Sequence, residues 1–282
     1  MNGIIIINKE KDYTSRDIVN IIGKIFNTKK VGHTGTLDPL ATGVLVLCIG
    51  KSLKLTEYLT SKDKEYIAKV KLGIETDTLD ITGKITNKKE LNKINKARVI
   101  EALNHFQGKI KQEVPKYSAV KVNGKKLYEY ARENKEVKLP VKEVEVYNIE
   151  LISDIDNNEF QIKCKVSKGT YIRSLIRDIG RYLNTYATMT ELTRIKQGIF
   201  TIEDSYTIKE IESSNYKLLN PIDVIDLPKI KVDDKLAFKI KNGQVLKKFF
   251  KEKQAMIIDN NNNLLAIYEH KDKEYVKPYK VF

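Results

Sequence analysis

Apolar and polar residues change their spacing several times along this chain, and each change marks a new element. Met1 to Asn8, with Ile4–Ile7 contiguous, reads as a strand. Thr14 or Ser15 can cap the helix that follows, in which Ile18, Val19, Ile21, Ile22, Ile25 and Phe26 form one face. Val44–Ile49 is a strand-like apolar run, with a short helix after it through Tyr58. From Tyr66 the period becomes two: Tyr66, Ala68, Val70 and Leu72 share one face, Ile67, Lys69 and Lys71 the other. Ala97–Phe106 is helical, and Tyr117–Val122 is strand-like, ending at the turn signal Asn123-Gly124. Phe160, Ile162, Cys164 and Val166 alternate with Gln161, Lys163 and Lys165. After a break at Lys168-Gly169-Thr170, a helix carries Ile172, Leu175, Ile176, Ile179 and Leu183 on one face.

Strands and helices mix here without a regular βαβ beat, which predicts an α+β fold with a largely antiparallel sheet. Composition shifts around Pro221–Pro228. Beyond it, Lys229–Phe282 holds thirteen lysines against seven acids. Three short strand-like runs lie in this tail: Ala255–Ile258, Leu264–Tyr268 and Tyr275–Val281. The pattern predicts a main domain over 1–228 and a small basic β-rich domain over 229–282. A basic extension of the main sheet is the alternative.

The charge balance narrows the choice of partner. Across 282 residues, 51 Lys and Arg stand against 37 Asp and Glu, giving +14 and a pI near 9.4. Such an excess points to a polyanion, with lysine-rich solubility as the competing explanation. No eighteen apolar residues run together and Ile4–Ile7 is too short for a signal peptide, so no membrane segment and a cytoplasmic location are expected. Cys48 and Cys164 are isolated in apolar contexts, which speaks for buried free thiols in a reducing compartment and against zinc or a disulfide framework.

One carboxylate is framed unlike the others. Asp38 sits in Gly32-His33-Thr34-Gly35-Thr36-Leu37-Asp38-Pro39-Leu40-Ala41-Thr42-Gly43, a glycine-punctuated loop with an Asp-Pro step. Other signals dissolve on inspection. Gly50-Lys51-Ser52 lacks the first glycine of a phosphate-binding loop, Glu101 and His105 form no metal motif, and His270 lies in the basic tail. No serine or cysteine has triad partners by motif. An enzyme built on Asp38 is therefore expected to need no metal, organic cofactor or triad.

The Gly32–Gly43 run followed by Val-Leu-Val-Leu resembles the nucleophile motif of the bacterial tRNA pseudouridine synthase B family. Further blocks follow in order: Lys64-Glu65-Tyr66; Pro115–Lys121 with Gly124–Arg132; Ser167–Leu175; and Leu192-Thr193-Arg194. The resemblance implies a pseudouridine synthase catalytic domain and isomerisation of the T-loop uridine (position 55) of tRNA, flipped out of its loop. It implies Asp38 as nucleophile, Arg173 paired with it and holding it ionised, Tyr66 stacked on the base, and Tyr171 lining the pocket. His33, Lys9 and Leu192 would contact RNA or substrate, and the C-terminal segment would be a PUA-type RNA-binding domain. A monomer is expected. Taken alone, Arg173, Arg177 and Arg181 could be a solvated stripe, Tyr66 a core tyrosine and His33 a packed turn residue. The family's Asp-Lys-Pro-x-Gly-x-Thr-Ser reads here Asn8-Lys9-Glu10-Lys11-Asp12-Tyr13-Thr14-Ser15, which makes the setting of Lys9 the open point.

Overall fold

Two apolar strands, Gly3–Lys9 and Thr42–Ile49, form the spine of the molecule, paired antiparallel with Gly3 opposite Ile49 and Lys9 opposite Gly43. The computed structural model describes residues 2–91 and 94–282. Both strands are buried on both faces, which is why they read as runs rather than alternations. Ile5, Ile7, Leu45 and Leu47 face a core shared with the helices Ser15–Ile25 and Ile172–Tyr182. Ile4, Ile6, Val44 and Val46 face a second core that includes Met256 and Ile267.

From Thr42–Ile49 the sheet continues through Ala187–Gln197, Lys64–Leu72, Glu159–Val166, Val141–Leu151 and Gly108–Glu113. Every step is antiparallel except the first, where Thr193 lies parallel and opposite Thr42, and Arg194 opposite Gly43. Gly43 has φ +93°, and a Cβ there would sit 2.3 Å from the Arg194 carbonyl oxygen, so this step requires glycine. The fold is α+β with a mostly antiparallel sheet.

Thr14, not Ser15, caps the first helix: its hydroxyl accepts from the Asp17 amide at 3.1 Å, and the Asp17 carboxylate accepts from the Thr14 amide at 2.8 Å. The period-two pattern holds in Lys64–Leu72, where Lys64, Tyr66, Ala68, Val70 and Leu72 are all buried. The expected strand over Tyr117–Val122 shrinks to Lys121–Val122, paired with Lys125–Lys126 across Asn123 (φ 50°) and Gly124 (φ 80°). Upstream of it the Tyr117 carbonyl accepts from Arg173 rather than from a neighbouring strand. Five strands of the sheet are not marked by the pattern: Gly108–Glu113, Val141–Leu151 and Ala187–Gln197, and the short Val31–His33 and Phe200–Thr201.

The C-terminal strands form their own sheet of five, ordered Lys229–Lys231, Gln254–Ile258, Leu264–His270, Tyr275–Val281 and Leu246–Lys247, with the helix Asp234–Lys241 packed on it. Among the described residues none of its strands pairs with the main sheet. No helix of the described residues is long and apolar enough to cross a membrane.

Candidate active site

Asp38 lies between the strands Val31–His33 and Thr42–Ile49, and its backbone is fastened on both sides. The buried Ser15 hydroxyl accepts from the Leu37 amide at 2.8 Å and donates to the Leu37 carbonyl at 3.1 Å. On the other side, the Pro39 carbonyl accepts from the Asp12 amide at 2.8 Å and from the Lys9 ammonium at 3.3 Å. The Lys9 ammonium also donates to the carbonyls of Glu10 at 2.9 Å and Tyr13 at 2.7 Å. Lys9, expected to contact RNA or substrate, is completely buried with all three N–H groups engaged by backbone carbonyls. Burial lowers its pKa to about 8, opposed by Asp38 and Asp12. Asp12 stands at φ 70°, a left-handed conformation that aspartate tolerates better than most residues. The glycine of the family pattern is therefore replaced without losing the turn.

Arg173, in the first turn of the helix Ile172–Tyr182, reaches Asp38 from the opposite wall. Its Nε lies 2.9 Å from Asp38 Oδ2, and its side chain is only 6% exposed against 35% for Asp38. Nη1 donates to the Thr78 carbonyl at 2.8 Å and Nη2 to the Tyr117 carbonyl at 3.0 Å, so the guanidinium plane is fixed from three directions. Asp80, which sequence reasoning missed, is buried 3.9 Å from Nη1 and accepts from the Thr78 hydroxyl and the Thr82 amide. The stripe reading fails for two of the three arginines. Arg173 and Arg177 are buried, the latter paired with Glu113 and Asp178 at 2.9 Å each, while Arg181 is exposed.

Enclosure raises the Asp38 carboxyl above the usual carboxylate range. Arg173 opposes this rise without reversing it, and Asp80 adds to it. The pairing therefore positions Asp38 and limits the upward shift.

Asp38, Tyr66, Tyr171, Arg173 and Leu192 line one cavity of about 590 Å³, the size range of small-molecule sites. Tyr66 and Leu192 come from the neighbouring strands Lys64–Leu72 and Ala187–Gln197. The Tyr171 backbone is bracketed by Gln112, whose amide accepts from its N–H at 2.7 Å and donates to its carbonyl at 3.1 Å. Burial raises both tyrosine hydroxyls, so each stays protonated at neutral pH. His33 does not line the cavity. It is half-buried outside it, and burial with Arg16 and Arg194 nearby lowers its pKa. Lys64 and Arg194, neither singled out as a site residue from sequence, do line it.

The fold is that of a pseudouridylate synthase. The family description "TruB family pseudouridylate synthase (N terminal domain)" matches residues 23–172, and "tRNA pseudouridylate synthase B C-terminal domain" matches residues 173–224. The tRNA pseudouridine synthase B of Oceanobacillus iheyensis is 43% identical over 296 residues, covering 100% of this chain and 98% of that protein. That of Bacillus cytotoxicus is 41% identical over 298 residues, covering 100% and 97%. Among solved structures, the crystal structure of a Cbf5-Nop10-Gar1 complex aligns with a TM-score of 0.73 at 25% identity, covering 99% of this chain and 84% of that one. The chain belongs to the TruB family of pseudouridylate synthases.

Proposed function

We propose that this chain converts the T-loop uridine of tRNA, position 55, to pseudouridine, with Asp38 as the nucleophile. The observation that carries the reading is the Asp38–Arg173 pair set in a cavity walled by Tyr66, Tyr171 and Leu192. In the reaction the bond from uracil N1 to the ribose C1′ breaks, the base turns, and a bond from C5 to C1′ forms. The C5 proton is lost and N1 regains one, so atoms balance within the substrate.

Arg173 Nε occupies Asp38 Oδ2, while Oδ1 accepts no hydrogen bond from the described residues and is free to react. The carboxylate is the reactive form, and it needs no activating base. Tyr66 stacks on the flipped base, with Tyr171 and Leu192 closing the cavity so that the detached uracil is kept from water. His33, kept neutral, packs at the margin of the Asp38 loop, beside the space the base leaves or its neighbours. Excess positive charge draws the tRNA phosphates. Residues 229–282, as a PUA-type domain divided from the catalytic domain at Pro228, hold the RNA away from the chemistry. The protein works as a monomer in the cytoplasm, without metal or cofactor.

The deciding assay uses purified protein and a T-arm stem-loop transcript, with the modified position mapped. Wild type is expected to convert one uridine, and Asp38→Asn to bind the RNA yet convert none. Full turnover by Asp38→Asn, or an unmodified transcript with wild type, overturns the reading.

A further inference from the structure

The active-site cavity is electrostatically divided. At one end Arg173 meets Asp38 at 2.9 Å and Asp80 at 3.9 Å. Elsewhere in its wall stand two more buried cations, Lys64 and Arg194, and neither forms an ion pair with any described residue. Lys64 donates to the carbonyls of Thr60 at 2.8 Å and Lys62 at 2.5 Å, which leaves its third N–H unassigned. Arg194 donates from Nε to the Val44 carbonyl at 2.7 Å and from Nη2 to the Gly35 carbonyl at 3.1 Å, and a further side-chain hydrogen bond joins it to Tyr66. Carbonyl dipoles hold these groups in place but cannot neutralise them. Two like charges buried without a counter-ion are costly, and a site that retains them is suited to receive an anion from outside.

The surroundings agree. Lys64, Ser167–Lys168 and Lys142 lie toward the same cavity, and Lys142 and Lys168 are exposed at its rim. Lys64 is register-paired with Val166, so the buried and exposed cations come from adjacent strands and the loop after them. Burial lowers Lys64 to about 8; the charge of Arg194 pushes it further down and Asp63 only partly relieves it. That is the response of an ammonium lacking its partner.

We propose that Lys64 and Arg194 form an anion subsite that binds a backbone phosphate flanking the flipped uridine. The proposal rests on the reading of the chain as an RNA-modifying enzyme and adds to it the group that anchors the target nucleotide. A flipped nucleotide carries its flanking phosphates with it, and the subsite lies in the same cavity as Asp38. One phosphate oxygen can take the third N–H of Lys64, with the buried charge of Arg194 beside it adding attraction.

The test measures equilibrium binding of a T-arm stem-loop RNA by wild type and Lys64→Gln across a salt series. Glutamine can still donate to the two carbonyls but carries no charge. Loss of one phosphate contact should make the slope of log K against log salt shallower by about 0.7–0.9 and weaken low-salt binding roughly tenfold. Two further stem-loops each carry a neutral methylphosphonate at one linkage flanking the target uridine. One of them should weaken wild type by a similar factor and leave Lys64→Gln nearly unchanged. Arg194→Lys, which keeps the charge, should keep the slope. An unchanged slope for Lys64→Gln, or methylphosphonates that cost variant and wild type equally, overturns the subsite. A purely structural lysine would lower the melting temperature and leave both readouts alone. Conversion of the unmodified stem-loop by wild type judges the functional reading separately.

Discussion

Asp38 is held by charge at one oxygen and left open at the other, and in the proposed reaction its ionised form is the reactive one. Because enclosure and Asp80 raise its pKa and Arg173 only limits the rise, part of the population is protonated at pH values where an exposed aspartate is fully charged. The acid limb of kcat/KM should therefore lie above the ordinary aspartate range, with activity lost as pH falls through it. Asp80→Asn removes a negative neighbour that pushes Asp38 up, so the limb should move to lower pH. The same change frees one side of the Arg173 guanidinium, and kcat on the plateau should fall by about tenfold or more. A pH–rate profile of both proteins checks the two effects together; a limb that stays put or rises contradicts the assignment of Asp80.

At the scale of elements, the Asp38 loop is fastened by the turn and helix start that precede it. Ser15 serves Leu37 as both donor and acceptor at a buried site, so Ser15→Ala leaves an amide and a carbonyl unpaired. A loss of about 1–3 kcal/mol in unfolding free energy is expected by denaturant titration. If the clamp also sets Asp38, kcat should fall while KM for the RNA stays near wild type; a rise in KM with kcat intact would make Ser15 a matter of stability alone. Much of this arrangement was legible. The Asp38 loop, the alternating strands around Tyr66 and Cys164, and the Ile172 helix follow from period and punctuation. What was hidden has physical reasons. Ala187–Gln197 runs through the middle of the sheet but carries Thr, Glu, Lys and Arg, because one of its side chains, Arg194, is buried against carbonyls rather than against apolar groups. Asp80 could not be found by spacing, since its partner Arg173 lies more than ninety positions along the chain. The setting of Lys9 was not readable from its motif, because the backbone carbonyls that use its whole donor set include Pro39, thirty positions along the chain.

For the whole molecule, the question is whether the C-terminal sheet is an appendage or part of the stability of the catalytic sheet. Met256 and Ile267 are completely buried in one cluster with Ile4, Ile6, Val44 and Val46, on the reverse face of the strand that follows Asp38. Without that cover, the reverse face of the two spine strands would be an open apolar surface, which soluble monomers rarely tolerate. The two sheets should consequently unfold in one transition. Met256→Ala removes side-chain atoms from the shared cluster and should cost about 2–5 kcal/mol. Calorimetry should show the single transition moving down by several degrees, with no separate early melting of the C-terminal part. Catalysis measured well below that transition should change little, since Met256 lies behind the sheet and not in the cavity. Two resolved transitions, with the catalytic part melting as in wild type, would show instead that the C-terminal sheet rests on its neighbour without stabilising it.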